Sequence, residues 1–143
     1  MKDVLSFQIL NQEFALEVDY IESVSDLLEI THVPNAKYFI NGVINLRGRI
    51  VPVIDLTKIL NLKIKEDHKF ENILILKIEE EEIGIFVDDV KNVLSIDPDK
   101  LENFQTNNEV YAGKVKGVIK VGNRLIVFLD IKEILNFDRE NIS

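Results

Sequence analysis

Apolar residues fall along this chain in short blocks of strict alternation or unbroken runs, dominated by Ile, Leu and Val. That period of two, bounded by polar or Gly-containing pairs, predicts β-strands. Eight segments carry it: Leu5–Leu10, Glu13–Val18, Gly42–Leu46, Ile50–Ile54, Asn72–Ile78, Glu82–Val87, Val115–Val121 and Arg124–Leu129. Asn11-Gln12, Arg47-Gly48, the acidic tip Glu79–Glu81 and Gly122-Asn123 read as the turns joining them in pairs. Short helical patterns follow at Leu56–Leu60, Pro98–Asn103 and Ile131–Phe137. Several segments, such as Ile73–Leu76, are apolar on both faces, so both faces need cover.

The pattern occurs twice. Phe7–Val24 runs against the stretch ending at Val93, with Val18-Asp19 matching Val87-Asp88. Gly42–Leu60 runs against Gly117–Leu135 without a gap, and Gly42/Gly117, Arg49/Arg124 and Asp55/Asp130 are identical pairs. Shared hydrophobicity accounts for matched Val and Ile but not for matched Gly, Arg and Asp, so the chain reads as an internal duplication. The polar run Lys63–Glu71 joins the copies. Many short strands with regular turns, duplicated, predict a mainly β protein of two small barrels with short helices.

Composition narrows the function. The 143 residues are one domain's length, and 25 acidic against 17 basic side chains give a net charge of −8. Nucleic-acid affinity rests on phosphate neutralisation by Lys and Arg, so this balance argues against DNA or RNA and against an anionic membrane surface. There is no Cys, hence no disulfide, thiolate nucleophile or thiolate metal site. No signal-peptide cleavage site follows the first residues, and no apolar run approaches the roughly 20 residues of a spanning helix. The expectation is a soluble cytoplasmic protein without direct membrane insertion.

Catalytic motifs are sparse. His32 and His68 stand far apart in sequence without metal-ligand spacing, and glycine-rich phosphate loops are missing. His32 reads as a loop residue and His68 as a solvated linker residue. Asp19, Asp55, Asp88 and Asp130 each follow the last apolar residue of a strand and read as helix N-caps, with Asp19 and Glu22 at capping-box spacing. No enzyme, cofactor or metal is predicted. Arg47 is different: it sits at a hairpin tip where the second copy has Gly122, and presents a planar five-donor group from an acidic protein. The bland alternative is a solvated turn residue. Pro52, matched by Val127, cannot donate to a ladder and predicts an edge or a bulge.

The stretch NLRGRIVPVIDL, preceded by Tyr38-Phe39-Ile40-Asn41-Gly42-Val43, resembles the signature of the CheW family, adaptors that couple chemoreceptors to the histidine kinase CheA. The resemblance continues through Val87-Asp88 and GVIKVGNRLIVFLDIKEIL and so covers nearly the whole chain. It implies two five-stranded SH3/OB-like β-barrels with swapped copies: one from about residue 24 to 90, the other from residues 1–23 plus 91–143. It implies a non-enzymatic adaptor whose partners are the CheA regulatory domain and the cytoplasmic tip of a methyl-accepting chemoreceptor. Its receptor-binding positions fall on Ile21, Gly42, Arg47, Gly84, Val90 and Val93, although Val90 and Val93 by themselves also read as buried core. Ser23 stands where the family places the acidic partner of the signature Arg, with Glu22 adjacent. The competing reading is a small-ligand or oligonucleotide module on an OB-like barrel, which would want a basic, aromatic groove.

Overall fold

A computed structural model describes residues 1–103 and 113–140. Ten strands form among the described residues: β1 (Lys2–Ile9), β2 (Gln12–Glu17), β3 (Ile21–Asp26), β4 (Ile40–Leu46), β5 (Arg49–Ile54), β6 (Asn72–Ile78), β7 (Glu81–Val87), β8 (Asp89–Ile96), β9 (Val115–Val121) and β10 (Arg124–Leu129). Helices α1 (Leu56–Ile59) and α2 (Ile131–Glu140) follow β5 and β10. All eight strand-patterned segments are strands. β3 and β8 are additional, and the duplication explains both, since they follow Asp19 and Asp88 at equivalent places.

The chain divides into two compact units. Met1–Asp19 with Val90–Ser143 form a terminal unit, and Tyr20–Asp89 a central one. The terminal sheet has the order β8-β1-β2-β10-β9, the central sheet β3-β6-β7-β5-β4. Each is SH3-like, but the expected barrels are not closed by a continuous ladder. At β4 the loop after β3 supplies one bridging residue: Thr31 donates to the Val43 carbonyl and Val43 to the Thr31 carbonyl, both at 2.9 Å. At β9, Glu102 exchanges the same two bonds with Val118, at 3.1 and 2.8 Å. A single bridge is no strand, so each sheet stays open.

Within the central unit, Ile44, Leu46, Val51, Val53, Ile73, Ile75 and Phe86 form one core; in the terminal unit Val4, Ala15, Ile96, Ile119, Ile126 and Phe128 form the other. The opposite faces are buried too, as the two-sided apolar runs require: Leu74, Leu76, Ile85, Phe7 and Leu16 are fully buried. Each sheet contains a parallel pair, β5 with β7 and β10 with β2. Pro52 therefore lies in an interior strand, not at an edge. It is tolerated because its β4 partner Val43 turns its own N–H and C=O away to Thr31, and the ladder to β7 registers only Val53 and Ile54.

Asp55 caps α1, accepting from the Thr57 N–H at 2.9 Å and its hydroxyl at 2.5 Å, and Asp130 accepts from the Glu133 N–H at 3.3 Å. The other two proposed caps are corrected. Asp19 lies inside a 3-10 turn (Val18–Tyr20) and Asp88 precedes β8, because strands rather than helices follow both.

Candidate functional site

Arg47 and Gly48 form the β4–β5 turn with φ of +52° and +86°, and the Asn45 side chain accepts the Gly48 N–H at 2.8 Å. Positive φ at both central positions marks the type I′ hairpin turn, and Asn-Gly or Gly-Gly adopts it without strain. Arg47 adopts it against the preference of its Cβ. Its equivalent, Gly122, takes φ +58° at no such cost. The Arg47 side chain is exposed, and among the described residues nothing pairs with it.

Gly42 and Gly84 share one row of the central sheet: Gly42 opposite Val53, Val53 beside Gly84, Gly84 opposite Ile75 and Ile75 opposite Ser23. Both glycines are buried. A Cβ on Gly42 would stand 2.3 Å from the Thr31 carbonyl oxygen, and one on Gly84 would stand 2.8 Å from Ile73 Cγ2. Neither position presents a side chain; Gly42 allows the Thr31 backbone to approach closely, and Gly84 makes room for the Ile73 and Val53 side chains. Ile21 opens β3, half-buried opposite Leu76. By ladder order it sits at one edge of the central sheet, with Gly42 at the other edge and Arg47 on the turn leaving that edge strand.

Val90 and Val93 belong to the terminal unit, on β8. The buried-core alternative fails for Val93, which is 63% exposed; Val90 is half-buried. Val93 and its repeat equivalent Val24 are both exposed. So are Ile50 and its equivalent Leu125. Each unit thus carries this equivalent pair of exposed apolar residues, to which the central unit adds Leu27 and Tyr38 and the terminal unit Met1.

Sequence reasoning missed a duplicated ion pair. Arg49 holds Glu82 through two bonds of 2.6 and 2.8 Å, and Arg124 holds Glu13 in the same bidentate way. Glu13 and Glu82 are equivalent residues, so each pair ties equivalent strands of its unit. The identity of Arg49 and Arg124 was the available signal, but the carboxylate partner was hidden because it lies on a parallel neighbour 33 or 111 residues away. The guanidinium lowers the titration of both carboxylates. Glu22 turns its carboxyl to Glu82, not to Arg47, and the shared hydrogen bond with repulsion from Glu82 raises its own titration. His68 is no solvated linker residue either: its Nε2 lies 2.7 Å from Asp88 Oδ1, and its ring packs edge-on to Phe70, which stacks on Phe86.

Among the described residues, no three His, Asp or Glu side chains are grouped as a metal site would require, and no helix is long and apolar enough to cross a membrane. The sequence matches the model of the CheW-like domain from residue 3 to residue 139. The chain belongs to the CheW-like family. It is 41% identical over 133 residues to the chemotaxis protein CheW of Thermotoga maritima, covering 93% of this chain and 87% of that one. It is 31% identical over 137 residues to CheW of Bacillus subtilis, covering 93% and 86%. The crystal structure of the scaffolding protein TtCheW from Thermoanaerobacter tengcongensis superposes with a TM-score of 0.79 at 29% identity, covering 90% of this chain and 88% of that one. The fold described above is thus that of CheW-like proteins.

Proposed function

We propose that this protein is a non-enzymatic chemotaxis adaptor of the cytoplasm that couples chemoreceptor signalling tips to the histidine kinase CheA through protein–protein contacts. Family membership across residues 3–139 carries the reading. Receptor contact is assigned to Ile21, Gly42, Arg47 and Gly84 of the central unit and Val90 and Val93 of the terminal unit. The observation that favours Arg47 is its backbone. A non-glycine residue held at positive φ, where the equivalent turn uses Gly122, is strain of the kind that functional sites store. A guanidinium can make two parallel bonds to a carboxylate or to carbonyls and so fix the register of a docked helical hairpin. Gly42 and Gly84 support the site by shape, since a side chain at Gly42 displaces the Thr31 backbone and one at Gly84 displaces the Ile73 side chain. The exposed apolar residues, Val24 and Ile50 in one unit and Val93 and Leu125 in the other, suit an apolar contact with a kinase domain.

Arg47→Asn is the discriminating variant, because it restores the Asn-Gly pair that the turn prefers while deleting the guanidinium. The expected outcome is a melting temperature equal to or above that of the parent, unchanged binding to the CheA regulatory domain, and receptor-tip binding weakened by about 2–5 kcal/mol if the Arg is buried and partnered in the complex. Receptor binding within about 0.5 kcal/mol of the parent would reduce Arg47 to a solvated turn residue.

A further inference from the structure

Both units carry the bidentate Arg–Glu pair, but the ladders beside it differ. In the terminal unit β10 registers with β2 at Ile126, Val127 and Phe128, opposite Glu13, Phe14 and Ala15. In the central unit β5 registers with β7 only at Val53 and Ile54. Val53 is the equivalent of Phe128, and Gly84 that of Ala15. The positions missing from the central ladder are therefore Val51 with Glu82 and Pro52 with Ile83. Proline accounts for the loss. Pro52 and its equivalent Val127 stand opposite Val43 and Val118, which turn their own N–H and C=O groups to Thr31 and Glu102. In such a pair both residues point their polar groups away from each other, so residue 52 faces β7 and Val127 faces β2. Val127 has an N–H to give to that neighbour. Pro52 has none, and the ladder to β7 starts only beyond it.

Leu46 and Val51 still seat in the central core, so the hairpin stays on its sheet. Its tip, residues 47–50, is what has lost backbone support on the β7 side. Arg49 spans that gap: Nε and Nη2 donate to the two carboxylate oxygens of Glu82 at 2.6 and 2.8 Å. The Arg49 side chain is half exposed, and an exposed ion pair adds little to global stability. Two parallel bonds nevertheless fix both distance and direction. Arg47 is joined to Arg49 through Gly48, whose N–H is held by the Asn45 side chain at 2.8 Å. The turn is thus braced within itself, and whatever places Arg49 places Arg47.

We propose that Arg49 is a positioning residue: bound to Glu82, it holds the Arg47 turn against β7 in place of the ladder that Pro52 removes. Its consequence for binding rests on the reading of Arg47 as a receptor contact, whereas the positioning itself is measured on the free protein. In the ¹⁵N-labelled full chain, Arg49→Gln is expected to lower the order parameters of the Arg47 and Gly48 amides from about 0.85 toward about 0.6, or to bring them into microsecond-to-millisecond exchange. Adding Pro52→Val, which returns the N–H that Val127 supplies in the other unit, should restore them. Arg124→Gln should leave the Gly122 and Asn123 amides as in the parent, because the ladder of β10 to β2 remains. Receptor-tip binding should weaken about tenfold in Arg49→Gln, and that effect should vanish in the Arg47→Asn background. The proposal is overturned if Arg49→Gln leaves the turn as ordered as in the parent, or if Pro52→Val fails to restore it. It is equally overturned if Arg124→Gln loosens its own turn as much, or if the binding loss persists in Arg47→Asn, which would make Arg49 a direct contact. A loosened turn restored by Pro52→Val, with receptor binding unchanged in both Arg47→Asn and Arg49→Gln, upholds the positioning and refutes the receptor reading of Arg47 instead.

Discussion

Three glycines of the central unit look alike in sequence but answer to different constraints. At Gly42 a new Cβ meets a carbonyl oxygen that is itself fixed by the Val43 N–H, so backbone must move. At Gly84 the obstacle is the Ile73 Cγ2 methyl, which can give by rotation or small displacement. At Gly48 there is nothing within 4 Å, and only the positive φ opposes a side chain. Alanine scanning should therefore rank them: Gly48→Ala costs about 1–2 kcal/mol for the left-handed backbone, Gly84→Ala about 1–3 kcal/mol for overpacking, and Gly42→Ala more than either. Urea unfolding checks the order, and a Gly42→Ala loss equal to that of Gly48→Ala would mean that the Thr31 bridge yields freely. Glu22 makes the opposite case, a residue whose removal helps. Its titration is raised by the hydrogen bond and repulsion from Glu82, so the ionised form is the disfavoured one. Glu22→Gln is expected to raise the melting temperature at pH 7 and to leave it unchanged at pH 4, where the parent carboxyl is already largely protonated.

At the scale of elements, the turns are where local preference and tertiary demand conflict. Glu79 and Glu80, at the β6–β7 tip, both hold positive φ, +51° and +78°. Two like-charged residues occupy the conformation that Asn-Gly adopts freely. The double substitution Glu79→Asn/Glu80→Gly should stabilise the chain by about 1–2 kcal/mol, the order of cost of one left-handed L-residue, read as a higher denaturation midpoint at unchanged slope. No gain would mean that the acidic pair is compensated in the native state. β3 and β8 show why a strand can be hidden. In β3 a register shift between Ile21 and Ser23 breaks the alternation, so Ile21 and Val24 fall three apart and mimic a helical face. Val90 and Val93 repeat the spacing on β8. Both strands lie at sheet edges and bury little. The pattern that reveals an interior strand is absent there for a physical reason.

For the molecule as a whole, carboxylates bound to cations join distant parts of the chain. Glu13 is lowered from the ordinary value of 4.5 by Arg124, and Glu82 by Arg49. For Glu17, burial pushes upward, but Lys116 at 2.5 Å and Lys2 outweigh it. A carboxyl lowered in the folded state contributes stability that is present above its unfolded value and lost as pH falls through the folded one. Glu22, raised, contributes in the opposite sense and loses its contribution as pH rises. With three lowered groups against one, the melting temperature should decline below about pH 4.5 and vary little between pH 6 and pH 8. A flat profile down to pH 3 would show these pairs to be energetically idle. In Glu82→Gln the acid loss should be shallower, because one lowered carboxyl is gone.

Sequence alone determined the secondary structure of eight strands, the duplication and the family, because each is written in neighbouring residues: period-two alternation, an ungapped run of identities, and the NLRGRIVPVIDL turn. It also determined that Arg47 stands on a turn, since Arg-Gly between two apolar alternations leaves little else. What only the tertiary structure decided are relations between strands that are not adjacent in sequence. The parallel pairs β5–β7 and β10–β2, the Arg–Glu bonds across them, the His68–Asp88 contact and the placing of Pro52 inside a sheet all depend on which strand lies beside which. Alternation tells a strand which face to bury but not which neighbour to take. The neighbour was chosen by the packing of two cores, and with it the contacts between strands that join Arg49 to Glu82 and Arg124 to Glu13.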